Sequence, residues 1–276
     1  MIFGITGNPV KEGIERILSI ILDTLKPSDI LIWDGLKDKI LSPERVQFES
    51  ENAIKNEADV IITIGGDGTF LRTARVFNSK PIIGVNVGTF GFLTIYGQEN
   101  IRQALEDLVS GRWSLEERVT VKATVEGRTV IALNDITINV TGSSRMLSLN
   151  VKVDGQNLFD FRGDGLLIST PTGSTAYNLS AGGPILYPTM EALVITPICP
   201  HKLSLRPVVV PARSRIEAFV SSRTEDMILS ADGQEIIPLK SGNHIFFTRD
   251  DSNVKMVKTP GVQDYFEILK NKLSWG

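Results

Sequence analysis

Cysteine and histidine are nearly missing from this 276-residue chain: Cys199 is the single cysteine, and His201 and His244 are the only histidines. One thiol excludes an internal disulfide, and no cysteine–histidine spacing suits a zinc site. Two histidines leave a Ser-His-Asp hydrolase few choices of base. No apolar run nears the roughly 20 residues that a membrane-spanning helix needs. Neither sign of charge is in excess. The 29 basic and 32 acidic side chains leave a net charge of −3, which offers no basic field to nucleic acid. Met1 to Gly7 lack the basic start and apolar core of a secretion signal, so the expected compartment is the cytoplasm.

What is present is an ordinary globular composition, 42% apolar and 22% charged, in a length that suits one large or two medium domains. The first hundred residues alternate strand and helix patterns. Ile2–Thr6 reads as a strand, and Ile14, Ile17, Leu18, Ile21, Leu22 and Leu25 fall at helical spacing. Val60-Ile61-Ile62-Thr63-Ile64 is apolar without alternation, as in a parallel-sheet strand buried on both faces. A helix carrying Phe70, Leu71, Ala74 and Phe77 follows, then a strand at Pro81–Val85 and a helix stopped at Gly111. From about residue 118 the period becomes two, as in Val119, Val121, Ala123 and Val125, and short strands recur with turn signals such as Asp154-Gly155 and Asp232-Gly233. The expected fold is an α/β, Rossmann-like parallel-sheet domain over 1–112 and an all-β, sandwich-like domain over 113–261. A terminal helix over 262–276 packs back on the first domain.

Gly65-Gly66-Asp67-Gly68-Thr69 lies where the buried strand ends and a helix begins, the place where open α/β sheets bind ligands. Glycines let the backbone approach a phosphate, and the helix N-terminus offers N–H groups to it. No Gly-Lys-Ser/Thr follows, so this is not a Walker loop. An aspartate among phosphate-binding amides needs a reason, and phosphoryl transfer supplies one: a carboxylate that holds Mg²⁺ or takes the proton of the attacking hydroxyl. A tight strand–helix turn capped by Asp67 or Thr69 is the simpler alternative. A second constellation runs from Arg162-Gly163-Asp164-Gly165 to Pro171-Thr172-Gly173-Ser174-Thr175-Ala176-Tyr177-Asn178 and on to Gly183-Pro184. Its hydroxyls and small residues offer many polar contacts, and Tyr177 offers a flat face to a base. Asn134-Asp135 interrupts an apolar stretch and suits a ribose diol or an adenine amino group, or marks a β-bulge. Asp232-Gly233-Gln234 reads as a hairpin turn, Arg72 and Arg145 as exposed charges, and His201 as structural.

In this order the motifs resemble the NAD kinase family, over about residues 58 to 240. The resemblance rests on Gly65 to Thr69, Gly88-Thr89-Phe90-Gly91-Phe92-Leu93, Asn134-Asp135, Gly163 to Pro184, Pro197-Ile198-Cys199-Pro200-His201-Lys202-Leu203-Ser204 and Asp232-Gly233-Gln234. The Gly-Gly-Asp-Gly loop is shared with lipid kinases and phosphofructokinases, whereas the Thr172–Tyr177 block is specific. The resemblance implies an enzyme that moves a terminal phosphoryl group from ATP, or polyphosphate, to the adenosine ribose 2′-hydroxyl of NAD, giving NADP. It implies a site between an α/β and a β-rich domain, with Asp67 as proton acceptor beside Gly68 and Mg²⁺ carried mainly by the donor. Dinucleotide contacts fall on Asn134, Asp135, Arg145, Arg162, Asp164, Thr175, Ala176, Tyr177, Asn178, Leu179, Ser180, Cys199 and Gln234, and Arg72 falls near the phosphates. The family often has Glu where this chain has Asp135, which shortens the reach by about one methylene. Cys199 falls at a variable position and is expected to pack or to offer its backbone. Self-association as a dimer or tetramer is implied, with no nucleic-acid or membrane partner.

Overall fold

The run Val60–Ile64 is buried at every position, and the sheet around it follows from that. The structure, a computed structural model, describes residues 1–40, 43, 46–141, 146–222 and 226–275. Its elements begin with β1 (Phe3–Gly7), α1 (Ile14–Thr24), β2 (Ile30–Trp33), β3 (Gln47–Glu49) and α2 (Glu51–Glu57). β4 (Val60–Ile64), α3 (Asp67–Val76), β5 (Ile82–Val85), α4 (Ile101–Val109) and β6 (Ser114–Arg118) come next. Then follow β7 (Val121–Val125), β8 (Arg128–Ala132), β9 (Asp135–Val140), β10 (Leu147–Val153), β11 (Gln156–Gly163) and β12 (Gly165–Ser169). A short α5 (Tyr177–Ser180) precedes β13 (Ala192–Ile198), β14 (Val208–Pro211), β15 (Ile216–Ser221), β16 (Met227–Ala231), β17 (Glu235–Leu239) and β18 (His244–Arg249). β19 (Val254–Lys258) and α6 (Tyr265–Leu273) complete the series. The chain divides into two compact units, residues 1–117 with 254–276, and residues 118–253.

The first unit holds a seven-stranded sheet in the order β3-β2-β1-β4-β5-β19-β6. β1 pairs in parallel with β2 on one side and β4 on the other, and β4 with β5. The chain therefore steps outward from β1 to β3 and returns to build the other half from β4. That reversal leaves a switch point between the carboxyl ends of β1 and β4, where backbone fans apart and a ligand can enter. A bond from Asn8 N to Ile64 O at 2.9 Å ties the two ends together. One face packs Ile17, Leu18 and Ile21 of α1 and Leu105 and Leu108 of α4 over Ile5, Ile62 and Ile64, and Ile268 of α6 joins the same core. Burying each such aliphatic side chain contributes roughly 1.5–3 kcal/mol. On the opposite face the hydroxyls of Thr63 in β4 and Thr73 in α3 meet at 2.7 Å.

The second unit holds two six-stranded sheets, β11-β10-β15-β18-β7-β8 and β14-β13-β12-β9-β16-β17. Their pairings are antiparallel throughout, for example β10 with β11 and β12 with β13. Alternation does the sorting: in β7, Val121, Ala123 and Val125 are buried while Lys122 and Thr124 are half-buried. Inward residues of both sheets, such as Val151 and Ala218 from one and Ile138 and Leu229 from the other, share one core. This is a β-sandwich. Leu133 and Asn134 carry the chain from β8 in one sheet to β9 in the other.

Close packing under α3 depends on Gly84 in β5. A Cβ there would stand 2.6 Å from Leu93 O and 2.8 Å from the Phe70 ring. Gly84→Ala is expected to destabilise the protein by about 1–3 kcal/mol through overpacking. Urea unfolding checks this, and an unchanged midpoint would contradict it.

Candidate active site

The sequence Gly65-Gly66-Asp67-Gly68-Thr69 crosses from β4 into α3 at the switch point. Apart from the adjoining backbone, no described atom lies within 4 Å of where a Cβ would stand on Gly66 or Gly68, so neither position is crowded. A Cβ on Gly65, by contrast, would press on Thr69. Asp67 is the first residue of α3, and its side chain turns to the segment after β5. Oδ1 accepts from Leu93 N at 3.1 Å, Thr94 N at 3.1 Å and Thr94 Oγ1 at 3.0 Å. Among the described residues, Oδ2 accepts from Phe92 N alone, at 2.8 Å. Thr94 Oγ1 is itself held by Asn86 Nδ2 at 2.9 Å. A carboxylate oxygen has about two lone-pair sites, so Oδ1 is fully used and Oδ2 keeps one. Gly91 makes this closure possible, because a Cβ there would overlap the Asp67 carboxylate.

Arg72 lies on the same helix, more than one turn along. Its guanidinium pairs with Glu51 at 2.7 Å and lies 5.4 Å from the centre of the Trp33 ring. Glu51 therefore answers part of its charge. Trp33 ends β2, so this trio belongs to the same carboxyl-terminal edge of the sheet as the glycine loop.

In the second unit, Asn134 and Asp135 are held by a residue that the sequence gives as a turn. The Asp232 carboxylate accepts from Leu133 N at 3.0 Å, Asn134 N at 2.7 Å and Asp135 N at 3.2 Å. The Thr170 hydroxyl donates to Leu133 O, Thr170 N donates to Asn134 O at 2.9 Å, and Asp232 N donates to Asp135 O at 2.9 Å. All six backbone groups of this crossing are thus satisfied. Gly173 packs against it so closely that a Cβ would overlap Asn134 O. Asp135 is 7% exposed, and its carboxyl is pushed up to about 7, first by burial and second by the charge of Asp232.

Asp164 and Cys199 form a neighbouring pair. The hydrogen bond to Asp164 holds the Cys199 thiol above its ordinary range, and burial adds to it. Cys199 adopts φ 45, in the left-handed region. Tyr177 is 43% exposed, and its hydroxyl is raised by partial burial and by Cys199, Asp135 and Asp164. Tyr177, Asp135, Asp164 and Cys199 therefore lie within one electrostatic neighbourhood. Asn178 differs from them. It is fully buried, with Nδ2 donating to Ser174 O and Pro184 O and Oδ1 accepting from Thr196 Oγ1 at 2.7 Å, so its amide builds the loop. Thr175, Ala176 and Leu179 are half-buried beside it, and Ser180 is exposed. Arg162 and Gln234 are exposed, in β11 and in the β16–β17 hairpin. Arg145 lies outside the described residues. Among the described residues, no group of three or more His, Cys, Asp or Glu side chains is arranged to hold a metal ion.

The charge state of Asp135 has a consequence for stability. An aspartate in the unfolded chain titrates near 3.9, roughly three units below its folded value. The stability gained from the raised value is complete below the unfolded value and is lost as pH rises through about 7. Asp135→Asn, which cannot ionise, is expected to be more stable than the wild type at pH 8, by up to about 4 kcal/mol. The gap should close toward pH 4 in urea unfolding, and a gap independent of pH would contradict the assignment.

The chain is similar to known proteins in sequence and in fold. The model of the ATP-NAD kinase N-terminal domain matches residues 21–113, and that of the ATP-NAD kinase C-terminal domain matches residues 133–259. An NAD kinase of Geotalea daltonii is 42% identical over 232 residues, covering 81% of each chain. An NAD kinase of Chlorobium phaeobacteroides is 36% identical over an alignment of 281 positions that covers 100% of this chain and 98% of that relative. Among solved structures, yeast NADH kinase complexed with NADH superposes with a TM-score of 0.89 at 26% identity, covering 99% of this chain and 87% of that one. An NAD kinase from Archaeoglobus fulgidus in complex with ATP gives a TM-score of 0.77 at 26% identity, covering 98% and 99%. Two domain models matched in order, with relatives this similar over most of its length, show that the chain belongs to the NAD kinase family.

Proposed function

We propose that this chain catalyses the family reaction, phosphorylation of NAD to NADP by MgATP, with Asp67 taking the proton of the adenosine ribose 2′-hydroxyl. The observation that carries the role of Asp67 is the uneven loading of its carboxylate: Oδ1 holds three donors and Oδ2 one. The anchored oxygen fixes the side chain, and the other presents a lone pair toward an incoming hydroxyl. As the 2′-oxygen bonds to the terminal phosphorus of ATP, the bond to ADP breaks and the hydroxyl proton passes to Oδ2. The transition state carries its charge on the phosphoryl oxygens, so amides matter more than covalent help. The uncrowded backbone at Gly66, where α3 begins, leaves room for a phosphate beside such amides, and Arg72 adds a cation. Mg²⁺ enters with the donor.

On this reading the second unit binds the dinucleotide. Asn134 and Asp135 meet polar groups of the adenosine half, and Tyr177 offers its exposed ring to a base. Asp164, with the Cys199 thiol donating to it, Arg162, Arg145 and Gln234 provide further polar contacts. Thr175, Ala176, Leu179 and Ser180 shape the loop, and Asn178 holds it from within. The protein works in the cytoplasm as a dimer or tetramer; light scattering on the purified protein reads the assembly.

Asp67→Asn is expected to bind NAD as the wild type does and to lose about 10²- to 10⁴-fold in turnover, the range for removing a general base. Near-normal turnover would remove Asp67 from the chemistry. Gly91→Ala should lower turnover as well, by displacing the carboxylate, while Phe90→Ala nearby serves to gauge general loop damage. A donor-by-acceptor matrix of ATP, other nucleotides and polyphosphate against NAD and NADH then fixes both substrates. Absence of any phosphorylated dinucleotide would make the chain a sensor of NAD.

A further inference from the structure

We propose that Asp232 is a positioning residue for the dinucleotide, acting through the Leu133–Asp135 backbone to set where the Asn134 and Asp135 side chains stand. The inference rests on the placement of NAD at those two residues. Asp232 itself occupies a hairpin between β16 and β17 and adopts φ 51, followed by Gly233 at φ 65. A turn needs no carboxylate at that position; asparagine or glycine enters the left-handed region more readily. The second Asp-Gly-Gln tripeptide shows the contrast. Asp154, at φ 51 before Gly155, uses its carboxylate once among the described residues, on Arg215 N at 2.8 Å. Asp232 collects three successive amides nearly a hundred residues away in sequence. The amides of Leu133 and Asn134 belong to the crossing between the two sheets, outside either strand, and that of Asp135 opens β9.

Asp232 acts on Asp135 in a second way, through charge. Among the described residues no hydrogen bond or ion pair meets the Asp135 carboxyl, and the titratable groups that interact with it are Asp232 and, from α5, Tyr177. The charge of Asp232 raises the buried Asp135 carboxyl, second to burial. Asp135 then changes protonation near pH 7, where a free aspartate would not.

The test is calorimetric measurement of the Kd for NAD from pH 5 to 9, without ATP, on the wild type, Asp232→Asn, Asp232→Ala and Asp135→Asn. Asp232→Ala loses all three amide contacts and should weaken NAD binding by about tenfold or more. Asp232→Asn keeps the shape and one acceptor oxygen but removes the charge. Its inflection in Kd should move from near 7 to lower pH, remaining above the ordinary aspartate range because burial is the larger cause. Asp135→Asn should lose that inflection. If Asp135→Asn keeps the inflection, Asp135 does not meet the dinucleotide and the underlying site assignment fails. If Asp135→Asn loses it while Asp232→Asn keeps the wild-type midpoint and affinity, the positioning role alone is overturned. Weaker binding by Asp232→Asn with an unmoved midpoint supports positioning through the backbone and overturns the action through charge. Should Asp232→Ala not fold, Asp232→Asn carries the test.

Discussion

Asp67 joins the first turn of α3 to the segment Phe92–Thr94, and the candidate active site depends on that junction. The three amides belong to irregular backbone beyond β5, where no sheet ladder receives them. Left unpaired in a half-buried place, each would cost about 1–3 kcal/mol, and a bond to a charged acceptor returns a similar amount. The carboxylate therefore orders the loop, while the loop orders the carboxylate. Thr94 and Asn86 extend the chain of bonds to the end of β5. Two glycines complete the arrangement: Gly91 leaves room for the carboxylate, and Gly66 keeps the facing backbone open.

The same device appears in the second unit. Asp232 gathers the amides of Leu133, Asn134 and Asp135 where the chain leaves one sheet of the sandwich for the other. In both places the chain passes between regular elements, and an aspartate followed by glycine supplies the acceptor for the amides there. The chemistry then differs. Asp67 has an unfilled lone pair and stands at an open glycine loop, whereas Asp232 presses its charge on the buried Asp135. The two loops thus share one structural solution, applied with different neighbours.

Much of the fold was legible because periodicity reports burial. The continuous apolar run of β4 marked a parallel strand, and the alternation at Val121, Ala123 and Val125 marked a sheet with one face on the core. β13 escaped that logic: it is buried at all seven positions and contains Pro197, so neither alternation nor an unbroken β-former run announces it. At the site, Asp67 stood out because an acid among phosphate-binding glycines is anomalous. Asp232 did not, because Asp-Gly is a common turn and the three amides it collects lie nearly a hundred residues away. Asn178 read as a ligand contact from its block, yet its side-chain amide is bonded to Ser174 and Pro184 of the loop and to Thr196 of β13. Sequence spacing shows which residues are near in the chain; which polar groups remain available is decided by the tertiary hydrogen bonds.

The central claim is that the Asp67 carboxylate is anchored by the Phe92–Thr94 amides and held ready for a proton. Amide hydrogen exchange on the wild type and Asp67→Ala tests the anchor directly, because exchange reads local opening residue by residue. Loss of the charged acceptor should speed exchange at Phe92, Leu93 and Thr94 by roughly 10- to 100-fold while the amides of β4 stay protected. Unchanged exchange at those three amides would contradict the account.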